Sequence, residues 1–83
     1  MQKEEIWAIP FDQAEQFFLR QSDVKITDRG FLFERCSIEV FCLPHRRESF
    51  WRVPQTKISM EGPEEDLNTI YRRFFVQFVS AGG

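Results

Sequence analysis

Gly62-Pro63-Glu64-Glu65-Asp66-Leu67-Asn68-Thr69-Ile70-Tyr71-Arg72-Arg73-Phe74-Phe75-Val76-Gln77-Phe78-Val79 decides how the rest of this chain is read. Leu67, Ile70, Tyr71, Phe74, Phe75, Phe78 and Val79 recur at steps of three and four, the period of one helical face. The start is marked as well. Gly62 serves as N-cap, and Pro63 at the first helical position gives up no N–H that the helix needs. Glu64, Glu65 and Asp66 fall where the helix dipole favours negative charge. Ser80-Ala81-Gly82-Gly83 marks the stop. The spacing predicts a helix from Pro63 to Val79.

That stripe is wide. At about 100° per residue its side chains spread over roughly half of the circumference, whereas packing on a sheet needs an arc of about 100°. The remainder is expected to touch either a second helix of the same chain or another molecule. Tyr71, Phe75 and Val79 are the candidate interface residues.

The chain has 83 residues, which makes one small domain with no room for a second core. A domain of this size buries about 60–65% of its unfolded surface, so it needs dense packing or association between subunits. Ten Phe and two Trp supply a core at about 150–250 Å² each, and more aromatic surface than so small a globule hides. The net charge of −2 selects no partner of either sign.

No N-terminal run has the length of a signal peptide or a membrane span, so a soluble protein without a membrane partner is expected. Cys36 and Cys42 lie six residues apart in a strand pattern. At about 3.3 Å per residue they stand about 20 Å apart, beyond the reach of a disulfide. Reduced thiols agree with a cytoplasmic setting.

Along the chain, Met1 to Glu5 is polar and expected to fray. Ile6-Trp7-Ala8-Ile9 reads as a brief strand ended by Pro10. Asp12 and Glu15 have the spacing of a capping box, and Phe11, Ala14, Phe17 and Phe18 share one side, predicting a helix from Phe11 or Asp12 to Gln21. From Val24 the period becomes two. Val24 and Ile26, a Thr27-Asp28-Arg29-Gly30 turn with Gly30 in the left-handed position, and Phe31-Leu32-Phe33 predict a hairpin. Cys36, Ile38, Val40 and Cys42 alternate with Ser37, Glu39 and Phe41 as a half-buried strand. The inward parity shifts after Phe33, which calls for a bulge or tight turn at Glu34-Arg35.

Pro44-His45-Arg46-Arg47-Glu48-Ser49 reads as a loop. Phe50 to Val53 and Gln55 to Met60 read as extended, with Pro54 between them implying an edge position or a bulge. The order is helix, antiparallel strands, helix. This predicts an α+β fold: an antiparallel sheet of about four strands with the N-terminal and C-terminal helices packed on one face.

The sequence offers little chemistry. His45, the single histidine, sits in a solvated loop, and Cys42 reads as a small buried strand residue although it lies three positions before that histidine. No zinc spacing, phosphate loop, nucleophile elbow or EF-hand is present, so no catalytic, metal or cofactor residues are assigned and no cofactor is expected. Arg72 and Arg73 fall off the apolar stripe, and a solvent-facing position is expected for both.

The segment from His45 to Lys57 interleaves basic and aromatic side chains, the composition of a stacking platform for nucleic acid. Arg46, Arg47, Trp51, Arg52 and Lys57 are the candidate contacts to an anion or a nucleic acid. The closing Ala81-Gly82-Gly83 resembles the Gly-Gly tail of ubiquitin-like sulfur carriers, such as the small subunit of molybdopterin synthase. That resemblance implies a transferable C-terminus entering an activating enzyme; a helix C-cap explains Gly82 as well. The leading expectation is a non-catalytic interaction module that pairs with itself as a homodimer or with another protein. Nucleic-acid or phosphate binding and a sulfur-carrier role are the alternatives.

Overall fold

The computed structural model describes residues 1–80. Its elements are β1 (Gln2–Trp7), α1 (Phe11–Leu19), β2 (Val24–Ile26), β3 (Phe31–Phe33), β4 (Cys36–Glu48), β5 (Trp51–Glu61) and α2 (Glu64–Phe75), followed by a π-helical turn over Val76–Ser80. The strands form one antiparallel sheet in the order β1-β5-β4-β3-β2. The α+β class expected from the sequence holds, with five strands.

The first strand lies earlier than the expected Ile6–Ile9: it runs over Gln2–Trp7, so most of it comes from residues expected to fray, and Ala8 and Ile9 lie outside it. Gln2 to Glu5 form most of β1, an edge strand paired with β5 in the register Lys3↔Met60 and Glu5↔Ile58. Polar side chains suit an edge, because its outer backbone groups face water.

Pro44 to Glu48 is not a loop but the outer half of β4. Pro44 and His45 are absorbed by a bulge between the Leu43↔Gln55 and Arg46↔Val53 pairs. Pro54 sits across from that bulge and beyond the end of β1, which reaches only Thr56, so its missing N–H is tolerated although β5 is internal. The hairpins β3–β4 and β4–β5 both turn in two residues, with Glu34 at φ 53° and Ser49 at φ 54° in the left-handed region.

The helix starts differ from the expected caps, by two residues from Asp12 and by one from Gly62. Pro10 and Pro63 are the N-caps, their carbonyls accepting from Ala14 and Leu67, and neither helix has a side-chain cap. The capping box of Asp12 and Glu15 therefore does not form, and α1 ends at Leu19 rather than Gln21. Gly62 is needed for a different reason: a Cβ there would lie 2.7 Å from the Arg35 carbonyl oxygen and the Cys36 Cα. Gly30 is likewise pressed against the chain, with the Ile38 carbonyl oxygen where its Cβ would be.

Both helices cover the same sheet face. Ala14, Phe17 and Phe18 from α1 and Leu67, Ile70 and Phe74 from α2 bury against Phe31, Phe33, Cys36, Ile38, Ile58 and Met60. Phe74 is the hub, with Trp7 edge-on at 5.1 Å and Phe17 edge-on at 5.3 Å. Thr56 is fully buried and its hydroxyl donates to the Ile9 carbonyl at 2.7 Å, tying β5 to the chain entering α1. Arg73 is not simply solvent-facing: its Nη1 lies 3.0 Å from both Asp23 carboxylate oxygens, and its guanidinium covers the Phe33 ring.

β4 and β5 extend beyond the rest of the sheet as a two-stranded arm. The 13 residues of β4 span about 40 Å at about 3.3 Å each, matching the molecule's long dimension of 41 Å. Among the described residues no helix is long and apolar enough to cross a membrane.

Candidate binding surfaces on the arm and the bare sheet face

The register of the arm assigns its side chains to two sides. Arg46 pairs with Val53, Arg47 with Arg52, and Glu48 with Trp51. Since alternate residues face opposite sides, Arg46, Val53 and Trp51 share one side, and Arg47 and Arg52 share the other. Phe50 stands at the tip, 100% exposed, with Trp51 beside it at 73%. Neither Arg47 nor Arg52 has a carboxylate partner among the described residues. Like charges directly opposite one another weaken a strand pair.

Lys57 belongs elsewhere. It lies within the sheet, its Nζ 3.7 Å from Glu4 and 5.3 Å from the Phe41 ring centroid. Four of the five basic-aromatic residues singled out from sequence thus converge on the arm, and Lys57 does not join them.

The three candidate interface residues on the last helix have separate surroundings. Tyr71 packs on β1: Lys3 Nζ sits 4.3 Å from its ring centroid, and the Glu5 carboxylate, whose Oε1 is buried without a hydrogen-bond partner, lies beside it. Burial first, and then the neighbouring Glu5 carboxylate, push the phenol up to about 12. Phe75 leans edge-on toward Trp7 at 6.1 Å and remains partly exposed. Val79 is exposed on the π-helical turn, whereas Phe78 turns inward onto Phe74 and Phe17. The broad stripe therefore spreads over β1 and α1 of its own chain.

The sheet face opposite the helices is uncovered by any described element. From the register, Glu4, Ser59 and Glu39 form one row across it, and Ile6, Lys57 and Phe41 form the next. Leu43 with Gln55 and then Arg46 with Val53 continue toward the arm. Ile6 is 60% exposed and Phe41 40%. Sequence reading assigned Phe41 to the outward parity of its strand, but nothing in its neighbours announced that Ile6 would stand in the same row.

Little here supports covalent chemistry. Burial pushes the Cys36 thiol up, away from a reactive thiolate, whereas Cys42, expected to be buried in its strand, is exposed because the helices do not reach over that part of β4; both cysteines are free. Among the described residues no group of three or more His, Cys, Asp or Glu is placed to hold a metal. An open groove of about 290 Å³ between α1 and the π-helical turn is lined by Asp12, Gln16, Phe17, Arg20 and Phe78, a set without a nucleophile–base pair. Ala81, Gly82 and Gly83, on which the sulfur-carrier reading depends, lie outside the described residues. The chain matches no protein-family model, no curated protein and no solved structure.

Proposed function

We propose that this chain is a non-catalytic binding module whose arm contacts nucleic acid. The observation that carries the reading is the Arg47–Arg52 pair, two cations opposed in register, neither of them in an ion pair among the described residues. A phosphate lying between the guanidiniums would relieve their repulsion, and the planar fork of Arg suits its oxygens. A strand led from that phosphate around the tip would stack bases on Phe50 and then on Trp51, which faces the other side of the arm, and such stacking is worth about 1–3 kcal/mol per base. Few cations are involved, so affinity is modest and sensitive to salt. Two free cysteines support a reducing, cytoplasmic location.

Fluorescence anisotropy with labelled single-stranded oligonucleotides tests the proposal. Binding should weaken as salt rises, and the slope for one phosphate held between the two arginines is about −0.7 in log–log form. Arg47→Ala with Arg52→Ala should remove that part of the slope and at least tenfold of the affinity. Trp51→Ala should weaken binding with little change in slope. Absence of binding at 50 mM salt, or a double variant that binds like the parent, ends this reading.

A further inference from the structure

Arg46-Arg47-Glu48-Ser49-Phe50 runs through the tip of the arm. Ser49 has arginine two and three positions before it and a large apolar residue directly after it. No other serine or threonine of the chain has a basic residue at both of those earlier positions. Arg46, Arg47 and Ser49 are exposed, and Phe50 entirely so. We propose that Ser49 is a phosphorylation site, modified by a serine kinase with an acidic substrate groove, and that its phosphate switches the arm off as a nucleic-acid contact.

A kinase of this class reads its substrates by charge pattern: carboxylates in its groove hold guanidiniums that precede the acceptor hydroxyl. It also needs the acceptor segment extended and free of the substrate's own core. The arm meets that need. β3 pairs only as far as Ile38 and β1 only as far as Thr56, and an isolated two-stranded ribbon is marginally stable in water. Ser49 holds the left-handed region at φ 54°, which costs a serine free energy. Arg47 also repels Arg52 across the strands. The tip therefore opens more readily than the sheet below it.

In the transfer, the Ser49 hydroxyl oxygen attacks the γ-phosphorus of ATP. The bond from that oxygen to phosphorus forms, the bond from phosphorus to the bridging oxygen breaks and ADP leaves, and the hydroxyl proton passes to a carboxylate of the kinase. The product carries a charge of about −1.5 to −2 and three strong acceptor oxygens. Ser49 lies two positions after Arg47, about 7 Å along the chain, at the turn that brings Arg52 back beside Arg47. A span of that size is covered by an arginine side chain. The phosphate thus offers both guanidiniums the group that a nucleic acid would bring, and its charge repels any strand approaching the tip. The switch rests on the nucleic-acid reading of the arm; the modification does not.

The test incubates the folded full chain with ATP, magnesium and a purified arginine-directed serine kinase, and maps the product by mass spectrometry. One phosphoryl group should appear, on Ser49, and Ser49→Ala should take up none. Ser49→Gly, which accepts the left-handed backbone without strain, repeats that control should the alanine variant disturb the turn. Arg46→Gln with Arg47→Gln should slow the transfer about tenfold or more. A folded chain that stays unmodified while a synthetic peptide spanning Pro44 to Val53 is labelled overturns the site. Incorporation that persists in Ser49→Ala does the same. Fluorescence anisotropy then reads the switch. The phosphorylated chain should bind the oligonucleotide about tenfold more weakly than the unmodified one, and kinase-treated Ser49→Ala should bind like the untreated parent. Equal binding by modified and unmodified chains overturns the switch. An unmodified chain that binds no oligonucleotide ends the nucleic-acid reading and the switch with it, and the Ser49 site then stands or falls on the mass spectrum.

Discussion

Phe18 of α1 and Phe74 of α2 lie with their rings 5.6 Å apart and only 9° from parallel, so the two helices meet through stacked aromatics over the sheet. Phe74 is fully buried and also receives the edges of Trp7 and Phe17. Phe74→Ala should therefore cost about 3–5 kcal/mol, a large share of the roughly 4–12 kcal/mol available to a domain of this length. Urea unfolding should show a much lower midpoint with an unchanged slope. A loss below about 1 kcal/mol would remove Phe74 from the core.

Arg73 joins α2 to the chain entering β2 through Asp23, and the hydrogen bond from Arg73 holds the Asp23 carboxyl below its ordinary 3.8. A depressed folded value means that the unfolded chain takes up the proton first as pH falls. The contribution is present above about pH 4 and is lost as the solution is acidified below it. Both partners are well exposed, so Arg73→Met should cost only about 1 kcal/mol, including its contact with Phe33. Asp23→Asn should flatten the acid limb of a stability–pH curve, and an unchanged limb would assign it to other carboxylates.

Tyr71 is the single tyrosine of the chain, so its ionisation can be followed directly by tyrosinate absorbance. The folded value is raised from 10.0 to about 12. The neutral phenol is thus favoured in the folded state, and stability is retained below pH 10 and lost as pH rises toward 12. Glu5→Gln removes the neighbouring negative charge and should move the midpoint down. A midpoint already at 10 in the parent would show that β1 does not enclose this ring.

Gly62→Ala tests how closely the end of β5 approaches the β3–β4 turn. The added methyl would meet backbone atoms of Arg35 and Cys36 at 2.7 Å, and backbone yields less readily than a side chain. The expected cost is about 1–3 kcal/mol, a fall in Tm of roughly 4–8 °C per kcal/mol for this size of domain. An unchanged Tm would mean that the turn moves aside freely.

Both helices were legible because their apolar residues keep a period of three and four over several turns, and the Val24–Phe33 hairpin because its period of two is interrupted by Gly30. The outer half of β4 was not. Pro44 and His45 occupy a bulge, and the extra residue breaks the alternation that would have marked Arg46 and Arg47 as strand. Arg46, Arg47, Trp51 and Arg52 drew attention by residue type alone. That Arg47 faces Arg52 follows from the two-residue turn at Ser49-Phe50 and from the bulge, neither of which sequence reading placed.

Local patterning by itself determined the α+β class, the helices over the final stretch and over Phe11 to Leu19, and the inward side of β4. These are properties of neighbouring side chains and the water around them. Tertiary structure decided the rest. Gln2 to Glu5 become a strand only because β5, more than fifty residues later, returns beside them. That return places Ile6 in the same row as Phe41, and both helices on the other face leave the row uncovered. Pairing between distant segments depends on loop closure and on the packing of the whole sheet, and no window of sequence contains it.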